Sequence, residues 1–156
     1  HSCKVSGMMT QIYKLPPVEE ETHPSTFPLY AAARLVVQAH RPYLDALGMT
    51  YPQYLIVQTL RERNGQSVTE IADGLFLDAG TVTPILKRLQ SRGVILRERS
   101  KKDERTVLNY LTYEGERLAL ESSDVPVKAM NRGLMRQDLI EPLLNEARSL
   151  LVLLTV

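Results

Sequence analysis

Basic side chains are concentrated in one stretch of the chain, between Lys87 and Arg105. That stretch has eight lysines and arginines against three acidic residues, whereas the whole 156-residue chain has a net charge of only +1. A local cluster of this kind attracts phosphate groups, because surface charges act over only about 10 Å at ordinary salt. Charge clusters also occur on ordinary solvated surfaces. Whether this basic cluster indicates nucleic-acid binding therefore depends on the secondary-structure elements that carry it.

Two helices are predicted within Ser67–Arg92. Ser67 and Glu70 have the spacing of a capping box, which begins a short helix. Asp78 is a suitable N-cap for a second helix, and Gly93 is a suitable stop. The apolar stripe of this second helix consists of Val82, Ile85, Leu86 and Leu89. Pro84 indicates that its first turn is irregular or begins later than Asp78.

A basic hairpin is predicted after the second helix. Val94–Arg99 and Thr106–Leu111 are β-prone, and Ser100–Arg105 between them has the composition of a hairpin tip. Helix, turn, helix and basic hairpin in this order are the parts of a winged helix-turn-helix. The dominant use of that arrangement is to read duplex DNA.

The second helix and the hairpin tip carry the candidate DNA contacts. Short polar residues at the start of the helix, Thr81 and Thr83, suit base edges in the major groove, and Lys87 and Arg88 reach guanine acceptors or phosphates. At the tip, Lys101, Lys102 and Arg105 project toward DNA, and an arginine there can enter the minor groove. Asp103 either holds Arg105 or Arg99 by a charge-assisted hydrogen bond or simply forms the turn.

Further helices are predicted on both sides of this motif. Apolar residues recur at helical spacing from Phe27 to Leu47, and Pro42 should kink or split that helix. Thr50 and Gln53 form another capping box, followed by a helix with Tyr54, Leu55, Val57 and Leu60 facing inward. Thr112 caps a long helix that Pro126 bends or breaks.

The last helix, about Gln137–Leu154, has an unusually wide apolar stripe. A small subunit rarely needs so much apolar surface on a terminal helix, so we expect burial in a homodimer; packing within one subunit is the alternative. The predicted fold is mainly α with a small β-hairpin: a winged helix-turn-helix over about residues 51–111 and dimerisation helices over about 24–47 and 112–155, within one domain of residues 24–156. Residues 1–23 are expected to be a flexible lead-in.

Several classes of protein are disfavoured by the sequence. No apolar run is long enough to cross a membrane, no secretory signal is recognisable, and the single cysteine, Cys3, excludes an internal disulfide, so we expect a cytoplasmic protein. The three histidines have no metal-ligand spacing, and no catalytic or phosphate-loop motif is visible. We therefore expect neither an enzyme nor a bound cofactor or metal.

The chain resembles the MarR family of bacterial transcription factors from about Phe27 to Leu154. The segments that carry the resemblance are L-G-M-T-Y-P-Q-Y-L at Leu47–Leu55, L-D-A-G-T-V-T-P-I-L-K-R-L at Leu77–Leu89 and K-K-D-E-R-T-V at Lys101–Val107. The first two are similar to the organic-peroxide-sensing branch. The resemblance implies a homodimer that binds a palindromic operator and usually represses. It also implies DNA contacts by Thr81, Thr83, Pro84, Lys87, Arg88, Asp103 and Arg105.

The resemblance fails where the peroxide sensors do their chemistry. Their reactive cysteine lies in a C-F-x-L-Y segment, and the corresponding position here is Thr26, whose hydroxyl cannot become a low-pKa nucleophile. Tyr30 and Tyr51 stand at tyrosine positions of the sensors, whereas a third such position holds His40. The resemblance therefore implies a ligand pocket at these residues without peroxide chemistry.

Several signals and functions stay open at this stage. The effector could be a small apolar or phenolic molecule, Cys3 could be a displaced redox sensor, or the protein could respond to nothing and compete for operators. His40, Tyr30 and Tyr51 could equally be ordinary packed residues. The rival functions are a winged-helix module for protein contacts and a thiol enzyme that uses Cys3.

Overall fold

The computed structural model describes residues 26–131 and 137–155, and the side chains of residues 131 and 137–140 are not included. Cys3 and the lead-in of residues 1–23 lie outside the described residues. The chain divides into two compact units within its first helix, at Leu35 and Val36. The described part of the first unit is residues 26–35, and all other described residues belong to the second unit.

Seven helices and three strands occur within the described residues. The helices are α1 (Phe27–Ala46), α2 (Tyr51–Glu62), α3 (Val68–Gly74), α4 (Ala79–Ser91), α5 (Tyr113–Glu121), α6 (Val125–Asn131) and α7 (Gln137–Thr155). The strands are β1 (Gln66–Ser67), β2 (Ile95–Arg99) and β3 (Val107–Leu111). Helices α3 and α4 with the β2–β3 hairpin make the winged helix-turn-helix that the sequence predicts.

The predicted N-caps are confirmed. The Thr50 and Ser67 hydroxyls accept from the backbone N–H groups of Gln53 and Glu70, and both reciprocal bonds of each capping box are present. The pKa of the Glu70 carboxyl lies below its usual range, because it accepts from the Ser67 backbone N–H and from Arg63. These caps satisfy N–H groups that have no partner inside a helix.

Two glycines end helices as the sequence predicts. The N–H of Gly93 donates to the Gln90 carbonyl over 2.9 Å, and the N–H of Val94 donates to the Leu89 carbonyl over 3.0 Å. This pair of bonds is a Schellman motif, which requires the left-handed backbone that Gly93 adopts with φ of 71°. Gly48 ends α1 in the same way, with φ of 63°.

The expectations about the three prolines have different outcomes. The predicted split at Pro42 is wrong: helix α1 runs through Pro42, and His40 and Leu44 on either side of it are buried. Helix α4 begins at Ala79 with Asp78 as N-cap, so Pro84 does not delay it. The break predicted near Pro126 is confirmed: α5 follows its cap Thr112 and ends at Glu121, and Pro126 lies in the first turn of the next helix, α6, where its missing N–H costs nothing.

The sheet has a third strand that the sequence analysis missed. Strand order is β1-β3-β2, all antiparallel, with Gln66 opposite Asn109 and Arg97 also opposite Asn109. A two-residue strand leaves no period-2 pattern to recognise. Because β3 is bonded on both sides, the wing is part of a sheet that also holds the start of α3.

One hydrophobic core lies under α2, α3, α4 and the sheet. Its fully buried side chains include Leu44, Ile56, Leu60, Ile71, Val82, Leu86, Leu89 and Val94. The stripe predicted for α4 is confirmed at three positions, and Ile85 is half-buried. In α2 the predicted inward residues Tyr54, Val57 and Leu60 are buried, whereas Leu55 is only half-buried. Ile56, which was not predicted to face inward, is fully buried as well. This core fixes which face of α4 remains outside.

Candidate nucleic-acid interface

The start of α4 is held by a doubly bonded cap. Asp78 Oδ1 accepts from the Thr81 backbone N–H over 2.8 Å, and Asp78 Oδ2 accepts from the Thr81 hydroxyl over 2.6 Å. The bonds from Thr81 hold the pKa of the exposed Asp78 carboxyl below its usual value, so it stays ionised. The first turn of α4 is therefore ordered before any ligand arrives.

The hydroxyl hydrogens of the two threonines are already used inside the protein. Thr81 donates to Asp78, and Thr83 donates to the Ala79 carbonyl over 2.7 Å. A hydroxyl oxygen has two lone pairs besides its hydrogen. In this geometry both side chains offer an acceptor oxygen and a methyl group to a neighbour, rather than a donor.

The outward face of α4 carries the predicted contact residues. Pro84, Lys87 and Arg88 are exposed, on the side of the helix opposite Val82, Leu86 and Leu89. Within the described residues, neither Lys87 nor Arg88 forms an ion pair. Both charges are therefore available to an external anion.

The tip of the wing is closed by its own hydrogen bonds. The Ser100 backbone N–H donates to the Thr106 carbonyl over 2.8 Å, and the Ser100 hydroxyl accepts from the backbone N–H of Lys102 over 3.2 Å. Asp103 accepts from the Thr106 hydroxyl over 2.8 Å and from the Arg105 backbone N–H over 3.1 Å. These bonds lower the pKa of the Asp103 carboxyl, with the Thr106 hydroxyl contributing most.

Asp103 is thus a turn former. The expected alternative, a charge-assisted bond from the Asp103 carboxylate to the guanidinium of Arg105 or Arg99, does not occur in the described wing. The carboxylate bonds the backbone N–H of Arg105 instead, which leaves the guanidinium free. Lys101, Lys102 and Arg105 are all exposed at this tip.

Two arginines of the basic stretch have structural environments of their own. Arg92 Nη1 donates to the Gly48 carbonyl over 2.6 Å, which fastens the end of α4 to the turn after α1. Arg97 Nε is buried without a hydrogen-bond partner, and so is Oδ1 of Asn109, the residue opposite it in the sheet. Counting charges along the sequence could not reveal these environments, since Arg92 is exposed despite its bond and Arg97 is half-buried.

Polar residues that the sequence analysis missed attach the wing to α2. Asn109 is fully buried and donates through Nδ2 to the Gln66 carbonyl over 2.8 Å. Asn64 Oδ1 accepts from the Leu111 backbone N–H over 2.9 Å, and Gln66 Nε2 donates to the Thr59 carbonyl over 3.0 Å. An asparagine inside a β-prone segment was the available signal, since such a residue is uncommon in strands.

The predicted sensor residues fall into both units. In the first unit, Thr26 directly precedes α1 and is exposed, and Tyr30 is exposed with the Arg34 guanidinium 5.8 Å from its ring centre. In the second unit, His40 is buried, and its ring meets Tyr51 edge-on with 5.1 Å between centres. The structure therefore brings His40 and Tyr51 together.

The tautomer of His40 follows from its hydrogen bond. His40 Nδ1 lies 2.7 Å from the Val36 carbonyl, and a carbonyl only accepts, so Nδ1 carries a proton. Tyr51 is half-buried, and burial raises the pKa of its phenol. The His40 imidazole is therefore held by its bond to Val36, and it packs against the neutral phenol of Tyr51.

The described part of the chain offers neither a metal site of acidic, histidine or cysteine side chains nor a membrane-spanning helix. No group of three or more histidine, cysteine or acidic side chains there could hold a metal ion. None of the described helices is long and apolar enough to cross a membrane.

Comparison with known proteins reveals clear relatives. Residues 49–107 match the model of the MarR family. The organic hydroperoxide resistance transcriptional regulator of Bacillus subtilis is 44% identical over 100 residues, which are 64% of this chain and 68% of that protein. The HTH-type transcriptional regulator TtmR of Methylorubrum extorquens is 48% identical over 92 residues, 59% of this chain and 47% of that protein.

A solved DNA complex is also similar to this chain. The structure of reduced AbfR bound to DNA matches with a TM-score of 0.65 and 27% identity, covering 97% of each chain.

Proposed function

The chain belongs to the MarR family of transcriptional regulators, and we propose that it binds an operator in duplex DNA as a homodimer. One observation carries the proposal: a capped helix with an exposed basic face, α4, stands beside a preformed basic wing. We assign the protein no catalytic role, and we expect it to act in the cytoplasm, where its DNA lies.

Helix α4 supplies the sequence reading in this proposal. Its N-terminal end enters the major groove, where Thr81 and Thr83 accept from adenine or cytosine amino groups or meet a thymine methyl. Lys87 and Arg88 bind guanine acceptors or phosphates, and Pro84 contributes to the surface between them. Because the threonine hydrogens are used internally, we expect neither to donate to guanine.

The wing supplies affinity that does not depend on sequence. Arg105 enters the minor groove or binds phosphate, with Lys101 and Lys102 beside it. Asp103 acts on DNA only through the loop that it holds. The closed loop lowers the entropic cost of placing these cations, because they are anchored before binding.

Homodimer formation is supported by α7. Its exposed apolar side chains include Leu143, Leu144, Leu150, Leu151, Leu153 and Leu154. An apolar helix face of this size is stabilised by removal from water, and a second copy of the same helix supplies the matching surface. A twofold dimer would read two inverted half-sites, which makes the operator a palindrome.

Release from DNA is proposed to follow a small apolar or phenolic effector near His40 and Tyr51. The imidazole has one nitrogen fixed by Val36, so the other can accept from a phenolic hydroxyl. Thr26 offers no thiol, so the peroxide chemistry of the sensor branch is not proposed at that position.

The binding proposal is tested with a duplex selected by the wild-type protein from a random pool. Arg105→Ala should weaken binding to this duplex and to unrelated DNA alike and reduce the slope of log affinity against log salt by about one. Lys87→Ala or Arg88→Ala should change which sequences bind best. Arg41→Ala, on α1 and paired with Asp45, is the matched control and should bind normally. Affinity that does not depend on salt, for any duplex, would refute the proposal.

A further inference from the structure

One helix of the DNA-binding motif ends in an unusual way. The N–H of Phe76 donates to the Asp73 carbonyl over 3.3 Å, and the N–H of Leu77 donates to the Ala72 carbonyl over 2.9 Å. This is the Schellman motif already seen at Gly48 and Gly93. Phe76 occupies the position that the glycines occupy, with φ of 55°.

Phe76 is strained where the two glycines are not. A left-handed backbone brings Cβ close to the carbonyl oxygen that follows, which glycine avoids and phenylalanine does not. Within the described residues, Phe76 is the only residue other than glycine with a positive φ. A glycine would make the same turn at lower cost.

Packing does not explain the phenylalanine either. The residue is 61% exposed, whereas its neighbours Leu75 and Leu77 are half-buried against the core. An exposed aromatic ring contributes little to the stability of the folded chain. The ring therefore stands at this position despite both backbone strain and exposure to water.

The position of Phe76 identifies its partner. It lies in the turn between α3 and α4, two residues before Asp78, the N-cap of α4. That end of α4 is the one proposed to enter the major groove. Deoxyribose carbons and thymine methyl groups form the apolar edge of that groove, and the uncharged ring matches them.

We propose that Phe76 is a DNA-contact residue whose ring packs on this apolar edge of the operator, and that the strained turn is retained for the contact. The proposal rests on the proposed function, since it requires operator binding. It also predicts a contact of a particular type: an apolar contact releases no counterions, so it adds affinity without adding to the salt slope.

Phe76→Gly tests the proposal because it keeps the turn and removes the ring. We expect its urea unfolding midpoint to equal or exceed that of the wild type, because the strain is relieved. Affinity for the selected duplex should fall about tenfold, the value expected for one apolar side chain, with an unchanged salt slope. Phe76→Tyr, which keeps the ring, should bind within about twofold of wild type.

Tyr113→Ala is the matched control, because Tyr113 is an aromatic residue with 88% exposure on α5, away from the reading helix in sequence. It should leave affinity unchanged. Wild-type affinity in Phe76→Gly would overturn the inference. A loss of affinity accompanied by a lower unfolding midpoint or a changed oligomeric state would overturn it as well.

Two further measurements separate the outcomes. If Lys87→Ala weakens binding while Phe76→Gly does not, the Phe76 inference fails and the proposed function stands. If the wild type binds no duplex, the proposed function fails.

Replacing each thymine of the duplex by uracil then identifies the group on DNA that the Phe76 ring contacts. A methyl contact makes one uracil costly to wild type but not to Phe76→Gly, whereas a deoxyribose contact gives both proteins the same response.

Discussion

The Arg92 guanidinium donates a 2.6 Å hydrogen bond to the Gly48 carbonyl, joining the end of α4 to the turn between α1 and α2. The two residues are 44 positions apart in sequence. The left-handed turn at Gly48 ends α1 and also presents this carbonyl. The orientation of α4, the proposed recognition helix, therefore depends on a contact at its C-terminal end.

Arg92→Ala should lower the free energy of unfolding by about 1 kcal/mol, the usual contribution of such a bond. The salt slope of DNA binding should stay at its wild-type value, because Arg92 is engaged with Gly48 rather than with phosphate. Urea unfolding and salt titrations of binding measure the two effects. A reduced salt slope would show that Arg92 binds phosphate after all. Arg41→Ala, which breaks only an exposed ion pair, should cost about 0.5 kcal/mol or less.

The wing loop should respond to acid through Asp103. Its pKa is lowered in the folded protein, so the ionised carboxylate stabilises the loop above the ordinary carboxyl pKa of about 4. That contribution is lost as the pH falls through the lowered value. Thr106→Val removes the largest cause and should move the Asp103 pKa up toward its ordinary value, measured by NMR titration of the carboxyl carbon.

Glu114 provides the internal control for that titration. The pKa of Glu114 is lowered by the bond from Arg117. Both residues lie on α5 and not in the wing loop, so this pKa should not move in Thr106→Val. If the Asp103 pKa is the same in both proteins, the Thr106 hydroxyl is not what holds the carboxylate.

Dimerisation through α7 should be sensitive to a single charge on its apolar face. Leu143 is 57% exposed within the chain, so Leu143→Glu should leave the subunit folded while burying a charge in the proposed interface. We expect a monomer by sedimentation and a large loss of affinity for the palindrome. Ser149→Glu, on the polar side of the same helix, should remain dimeric. A dimeric Leu143→Glu protein would place the interface elsewhere.

Organic peroxide should not release the protein from DNA when Cys3 is replaced. The Cys3→Ser chain has no thiol, and the Thr26 hydroxyl is not acidic enough to attack a peroxide. Operator affinity measured with and without cumene hydroperoxide should be equal. Peroxide-dependent release of Cys3→Ser would contradict this and would require an oxidisable group other than a thiol.

Local features were predicted well from the sequence because their signals are local. The caps at Ser67 and Asp78 follow from a side chain and an N–H three residues away, and the stripe of α4 follows from helical periodicity. The bonds of Arg92 to Gly48 and of Asn109 to Gln66 join distant segments, and no spacing rule indicates them. The split predicted at Pro42 was wrong, because the burial of the residues on either side of Pro42 outweighs the local preference of proline to break a helix.

For the candidate site, residue type indicated the chemistry but not the partners. Lys87 and Arg105 were predicted as DNA contacts from their charge and position, whereas Arg92 has the same charge and forms a structural bond. Asp103 illustrates the same limit: its short polar side chain could be assigned to the loop, but only the geometry shows that it bonds the backbone of Arg105 rather than its guanidinium.

The pairing of β1 with β3 has a consequence for folding. Gln66 meets Asn109, and the segment closed by this contact contains α3, the proposed recognition helix α4, strand β2 and the tip of the wing. Closing a loop of this length costs conformational entropy that is recovered only when the whole segment packs. Helices α3 and α4 and the wing should therefore gain and lose amide protection together, as one cooperative unit. The two-residue strand β1 closes that unit.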